Sequence, residues 1–292
     1  MGLKIFMDGQ LIEEDQAKVS VFDHGLLYGD GVFEGIRSYN CLVFRLGAHV
    51  DRLYRSAEGI RLEIPMTKEE MRMRTIETLK ANNIADGYVR TIITRGVGDL
   101  GLDPLKCGKP SIIIIAHKIS LYPDEFYEKG LKIITAKTRR NSSFALPPTI
   151  KSLNYLNNIL AKIEATDAGT EEALMLNVEG YVSECTGDNV FMIKNGKLIT
   201  PLIESGALEG ITRRAVMDIA EIKGMKVEEI MMRPEDILSA DELFLTGTAA
   251  QIVPVIELDG NKIGRGNVGE MTKNLIEDFR VLTKTDGEKY AL

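Results

Sequence analysis

Lys151 stands in PPTIKSLNYLNNILAKIEA, just ahead of a helical stretch and between apolar runs. A primary amine there, partly stripped of water, is a nucleophile for a carbonyl carbon. Glu184 lies in GYVSECTGDN, at the end of an expected strand and before a turn of small residues, from which a carboxylate can point into a cleft. Gly210-Ile211-Thr212 opens the helical pattern ITRRAVMDIAEIKG, whose first N–H groups and positive dipole end suit a phosphate. TGTAA, residues 246–250, is a second small-residue turn after the apolar ELFL and can approach an anion closely. Taken singly, each has an ordinary explanation: a surface lysine, a solvated turn glutamate, a helix cap, a loop. Together they supply what an aldehyde cofactor such as pyridoxal phosphate requires, namely an amine to form the imine, an acid at the pyridine nitrogen and a phosphate cradle.

Such groups must be carried by strands that end in turns and by helices that begin beside them. KIFMDGQLIEE alternates around Asp8-Gly9, a dipeptide suited to a two-residue hairpin turn. A helix follows with Val50, Leu53, Ala57 and Ile60 on one face, and a second starts at Thr67, where Glu70 completes a capping box. YVRTIITRG and SIIIIAHKI read as strands, the latter apolar enough for burial on both faces. The stretch LYPDEFYEKG has proline, charges and no sustained period, and is expected to be a linker over 121–130. Beyond it come the strand LKIITAKT, a loop ending in Pro147-Pro148, and a helix whose Leu156, Ile159, Leu160 and Ile163 share a face before Gly169. Hairpins are expected at Glu179-Gly180, Asn195-Gly196 and Asp259-Gly260, with helices over 212–223 and 270–282. The expectation is an α+β chain of two domains, 1–120 and 131–292, with mixed sheets in the second.

Composition narrows the function. The 292 residues carry a formal charge of −7, which offers no broad basic field for nucleic acid, although Lys137 to Arg140 is a local basic cluster. No run approaches the ~20 apolar residues of a membrane span, and MGLKIFMDGQ does not resemble a signal peptide. The cysteines Cys41, Cys107 and Cys185 are scattered and odd in number, which suits a reducing, cytoplasmic setting better than a disulfide framework or zinc site. Three histidines with no metal-binding spacing leave a metal centre poorly supported. Small-molecule chemistry is favoured.

Seven motifs in order carry a resemblance that runs nearly end to end: HGLLYGDGVFEGIRSY, FRLGAHVDRLYRSA, YVR, KSLNYLNNILAK, GYVSECTGDNVF, ALEGITRRA and LTGTAAQIVPV. The chain resembles a fold-type IV pyridoxal-phosphate enzyme, specifically a branched-chain amino acid aminotransferase. The resemblance implies two domains with pyridoxal 5'-phosphate at their interface. Lys151 then matches the Schiff-base lysine, Tyr155 the tyrosine on the cofactor's phenolic oxygen, and Glu184 the partner of the pyridine nitrogen. Arg52, Ile211, Thr212 and Thr248 match the phosphate-binding set. Tyr88 and Arg90 correspond to residues that seat substrate carboxylates, and the backbone of Thr248 and Ala249 to the receiver of the α-carboxylate. Tyr28, Phe33, Leu102 and Tyr122 resemble the walls of the side-chain pocket. Arg37 and His49 lie within matched motifs and are read as structural.

Two departures stand out. KSLNY lacks a glycine that many bacterial members have between lysine and tyrosine, as in archaeal enzymes and D-amino acid aminotransferases. There is no tryptophan, and Ile119 stands near the place of a pocket-wall tryptophan in some relatives. The implied reaction is reversible amino transfer between L-leucine, L-isoleucine or L-valine and 2-oxoglutarate. The alternatives are a D-amino acid aminotransferase, an aminodeoxychorismate lyase of the same fold, or a catalytically silent metabolite-binding protein. The resemblance also implies at least a homodimer, with further assembly to a hexamer left open, in which Tyr28 and Leu102 complete a neighbour's pocket.

Overall fold

Asp8 and Gly9 both adopt left-handed φ, 48° and 100°, and close the hairpin between strands β1 (Lys4–Met7) and β2 (Gln10–Glu13). The computed structural model describes residues 2–119 and 122–292. It divides into two compact units, the first made of Met1–Ile119, Ile150–Asn154 and Thr283–Leu292 and the second of Ser120–Thr149 and Tyr155–Leu282.

The first unit continues with α1 (His24–Tyr28), β3 (Gly31–Tyr39), β4 (Leu42–Phe44), α2 (Leu46–Gly59), α3 (Lys68–Ala81), β5 (Gly87–Thr94) and β6 (Ser111–His117). Together with a C-terminal strand, Gly287–Lys289, these build an antiparallel sheet in the order C-terminal strand, β4, β3, β5, β6, β1, β2. Side chains alternate across the sheet, so Val32 and Ile36 of β3 and Val89 and Ile93 of β5 share one face. That face is buried with Val50 and Leu53 of α2 and Met71 and Leu79 of α3. The capping box expected at Thr67 is formed, with Glu70 N–H on Thr67 Oγ1 (3.2 Å) and Thr67 N–H on the Glu70 carboxylate (2.8 Å).

The second unit comprises α4 (Asp124–Lys129), β7 (Leu131–Thr135), α5 (Leu156–Asp167), β8 (Glu172–Leu176), β9 (Val182–Cys185), β10 (Asn189–Lys194), β11 (Lys197–Pro201), α6 (Ile211–Ile222), β12 (Val227–Ile230), α7 (Pro234–Leu238), β13 (Glu242–Gly247), β14 (Gln251–Leu258), β15 (Asn261–Lys262) and α8 (Glu270–Leu282). The sheet order is β12, β11, β10, β13, β14, β7, β8, β9, with β15 on β14. It is mixed, since β11–β12, β14–β7 and β7–β8 run parallel and the remaining pairs antiparallel. Asn195-Gly196 and Asp259-Gly260 close tight left-handed turns, whereas at Glu179-Gly180 only the glycine has positive φ and Asn177 braces the turn through its side chain. Among the described residues no helix is long and apolar enough to cross a membrane.

Two expectations need correcting. The stretch 121–130 is not a bare linker: Leu121 lies outside the described residues, but Asp124–Lys129 is helical, and Tyr122, Phe126 and Tyr127 pack against the second unit's core. Aromatic anchoring outweighs its turn-like composition. Ile150–Asn154 and Thr283–Leu292 belong with the first unit instead of the second, because Val32 bridges to Ser152 and Gly287–Lys289 pairs with β4. The shared face of Leu156, Ile159, Leu160 and Ile163 on α5 is 66, 51, 45 and 50 % exposed at these positions. The helix packs instead through Ala161 and Ala165, whose small side chains sit against Ala173 and Met175 of β8.

Candidate active site

In the first unit the face of β3 opposite the core carries Phe33, Gly35 and Arg37, whose cross-strand neighbours on β5 are Ile92, Arg90 and Tyr88. Gly35 is required here, because a Cβ would lie 2.0 Å from Tyr88 Oη. The segment holding Lys151 runs alongside β3: Phe33 N–H donates to Lys151 O (3.0 Å) and Leu153 N–H to Gly31 O (2.9 Å). Lys151 N–H donates to Ser56 Oγ of α2 (3.1 Å). The backbone of Lys151 is thus fixed to a strand and a helix, and its Nζ stands 4.6 Å from the centre of the Phe33 ring. The Arg90 guanidinium reaches the same ring at 4.5 Å and the Tyr88 ring at 5.5 Å. Among the described residues Arg90 makes no ion pair.

On the core face of β3, Glu34 receives the Arg52 fork, Nε to Oε1 at 2.6 Å and Nη2 to Oε2 at 2.9 Å, while His49 Nδ1 meets Oε2 at 2.8 Å. All three are buried. Burial alone would push the Glu34 carboxyl up, but Arg52 and His49 outweigh it and hold the group well below the usual carboxylate range. Burial pushes the His49 imidazole down, and its hold prevails over Glu34, which pulls the other way; Arg52 and Lys151 add to the downward push. A neutral His49 that donates through Nδ1 fits this pattern. Arg52, expected as a phosphate ligand, is therefore gripped along its Nε edge by a carboxylate that the sequence reading passed over. One signal existed: Glu34, His49 and Arg52 are polar positions on otherwise apolar faces, and the latter two are three apart on one helix.

Tyr28 and Leu102 have other surroundings. Tyr28 Oη donates to Leu100 O (2.6 Å), its ring meets the edge of His24, and Leu102 is 79 % exposed.

In the second unit Glu184 is buried on β9 and is no solvated turn residue. Arg140 Nε donates to its Oε1 (2.9 Å), and Leu208 N–H (2.9 Å) and Asn189 Nδ2 (3.4 Å) donate to Oε2. Arg140, itself buried, is held through Nη1 by the side-chain oxygens of Asn157 (3.3 Å) and Asn158 (3.2 Å). Glu164 fastens the segment that delivers Arg140, accepting from Lys137 N–H (2.6 Å) and Thr138 N–H (2.9 Å). Nothing in the basic cluster 137–140 distinguished Arg140 as the buried member. Tyr155, half-buried, is the N-cap residue of α5.

The N-cap of α6 is Gly210, with no side chain capping it among the described residues, so Thr212 is not the cap; Ile211 and Thr212 are its first two helical residues, both buried. The first intrahelical bond is Arg214 N–H to Gly210 O (3.0 Å), which leaves the preceding N–H groups at the positive end of the helix dipole. Thr248 and Ala249 lie in the turn between β13 and β14, close to Thr246, whose buried hydroxyl has no hydrogen-bond partner among the described residues. Tyr122 packs edge-on against Phe126 (6.3 Å) and Tyr127 (6.5 Å), and burial, with Asp188 and Glu172 nearby, pushes its hydroxyl far up.

The chain as a whole is similar to known proteins. The family model for amino-transferase class IV matches residues 31–258. A putative branched-chain-amino-acid aminotransferase of Methanocaldococcus jannaschii is 53% identical over 278 residues, covering 95% of this chain and 96% of that one. The crystal structure of the Escherichia coli branched-chain amino acid aminotransferase superposes with a TM-score of 0.95 at 34% identity, covering 99% of this chain and 97% of that one. The branched-chain amino acid aminotransferase from Thermobaculum terrenum, in its PLP-form, gives 0.90 at 33% identity, covering 98% and 95%. With a lysine pinned beside an aromatic ring, a buried glutamate and an uncapped helix start, all within the matched span, the chain belongs to the class IV aminotransferases, among the branched-chain amino acid aminotransferases.

Proposed function

We propose that this enzyme moves the amino group of L-leucine, L-isoleucine or L-valine reversibly to 2-oxoglutarate, giving the branched 2-oxo acid and L-glutamate, with pyridoxal 5'-phosphate as cofactor. The observation that carries the pairing of such different substrates is Phe33, whose one ring is touched by both the Lys151 amine (4.6 Å) and the Arg90 guanidinium (4.5 Å). An apolar surface and a fork for a carboxylate thus stand together beside the nucleophile.

The donor set fits the cofactor: an amine, a buried carboxylate and an uncapped helix start serve an aldehyde, a ring nitrogen and a phosphate respectively. When bound, pyridoxal phosphate supplies an aldehyde for covalent capture and a cationic ring that draws electrons from the substrate's Cα. Lys151 would hold the cofactor through its amine, which, when free, would serve as base and then acid for the proton on the substrate's Cα. Glu184 would keep the ring nitrogen protonated, with its carboxylate held by Arg140. Tyr155 donates to the phenolic oxygen. Arg52, oriented by Glu34, joins the N–H groups of Ile211 and Thr212 and Thr248 in holding the phosphate. Thr248 and Ala249 receive the α-carboxylate through their N–H groups, and Tyr88 assists Arg90 with the second carboxylate. Phe33 and Tyr122 line the side-chain pocket, and Tyr28 and Leu102 come from a second copy in a homodimer; Leu102 is exposed enough to be donated. The three cysteines are free, consistent with work in the reducing cytoplasm.

The test is a screen of the holoenzyme with each amino donor as both enantiomers and 2-oxoglutarate as acceptor. L-leucine, L-isoleucine and L-valine should react; turnover of D-amino acids alone, or pyruvate release without an acceptor, would replace this reading with one of its relatives. In single-turnover half-reactions, Arg90→Leu should impair glutamate and 2-oxoglutarate more than leucine by ~2–4 kcal/mol, as for truncating one partner of a buried charge pair. Equal losses for both donors would move Arg90 to the common α-carboxylate.

A further inference from the structure

Strands β13 and β14 end on the pair Gly247 and Gln251, so only Thr248, Ala249 and Ala250 turn the chain between them. The turn is not relaxed: Gln251 leaves it with a φ of 61°, in the left-handed region that side chains other than glycine rarely occupy. A conformation of this kind persists where its surroundings over-determine it. Here the surroundings act at both ends. At the entry, Asp188 Oδ1 lies so close to Gly247 that a Cβ there would be 1.8 Å away, so only glycine lets the two approach. At the exit, Tyr127 Oη donates to Ala250 O (3.1 Å), and Ala250 is fully buried, so its carbonyl depends on partners within the protein. Tyr127 is held in turn, since its α4 helix packs on the second unit's core and its ring stands edge-on to Tyr122 at 6.5 Å.

We infer that Tyr127 is a positioning residue for the turn that seats the carboxylate common to every substrate of this reaction. The inference rests on the proposed role of the Thr248 and Ala249 N–H groups. The Tyr127 hydroxyl holds the exit of this three-residue turn through Ala250 O, one residue from the Ala249 N–H. In this role Tyr127 acts through the peptide planes of residues 248–250, by way of Ala250 O.

The experiment is Tyr127→Phe, which removes one oxygen and leaves the ring. Because leucine and glutamate share the α-carboxylate, KM should rise for both by the same factor, about fivefold for the loss of one neutral hydrogen bond, while kcat barely moves. Calorimetric binding of 4-methylpentanoate, which has leucine's skeleton and carboxylate but no amine, should weaken by that factor too. Placing p-aminophenylalanine at 127, which keeps a donor at the ring's tip, should restore all three; it also carries the test if the phenylalanine variant does not fold. Unchanged KM values, or a change confined to one donor, overturn the inference. Ala249→Pro separates it from the reading beneath: if deleting that N–H leaves both KM values alone, the carboxylate seat is misassigned. If Ala249→Pro raises both and Tyr127→Phe raises neither, the seat stands and Tyr127 plays no part in it.

Discussion

Glu34 and Glu184 are both buried strand carboxylates paired with a buried arginine, yet they are built differently. Glu34 takes its partners, His49 and Arg52, from a single helix 15 and 18 residues along the chain. Every group on it is a side chain able to carry positive charge. Glu184 draws on segments 44, 24 and 5 residues away, and mixes one arginine with a backbone N–H and an amide. The first arrangement neutralises a carboxylate so completely that its role is to hold Arg52. The second orients a carboxylate through neutral donors and one cation.

The sharpest way to break this comparison is to remove one charge at a time. Glu184→Gln should lower turnover by a factor on the order of 10²–10³, the scale of losing one preorganised electrostatic contact in an active site, and should also cost stability, since it leaves the buried Arg140 without its carboxylate. Steady-state kinetics with circular dichroism would show it, and wild-type turnover would remove Glu184 from the ring nitrogen. Glu34→Gln should act chiefly on stability, because it strands the Arg52 cation in the core; breaking a buried pair costs about 3–5 kcal/mol. Urea unfolding measures this, and an undiminished midpoint would show that the pair contributes little.

A smaller effect concerns pH. His49 has a folded value below its usual 6.5, so the unfolded chain binds the proton more readily, and stability present above 6.5 is lost as pH falls from there toward the folded value. Glu34 is likewise depressed from 4.5, so its contribution is intact at neutral pH and declines only below about 4.5. The melting temperature should therefore fall between pH 7 and 5 through His49, ahead of the steeper acid loss through Glu34. His49→Gln should flatten the upper part of that profile in calorimetry. A wild-type melting temperature that is level from pH 7 to 5 would contradict the buried, neutral histidine.

What the sequence determined by itself was local. Asp8-Gly9, Asn195-Gly196 and Asp259-Gly260 specify turns because the left-handed backbone is decided within two residues, and Thr67 with Glu70 starts α3 because a capping box spans four. Lys151 and Glu184 could be singled out for the chemistry of their groups and their places beside a helix and a turn. Which groups would surround them could not, since ion pairs such as Arg140 with Glu184 join segments with no periodic relation. Tertiary structure also decided that Ile150–Asn154 would lie along β3, where backbone donors and acceptors needed pairing. It turned the small side chains of α5 inward, leaving the larger ones exposed. Periodicity tells that a helix has two faces. Which one is covered depends on how closely the neighbouring strand can approach, and there alanine admits β8 where leucine would hold it off.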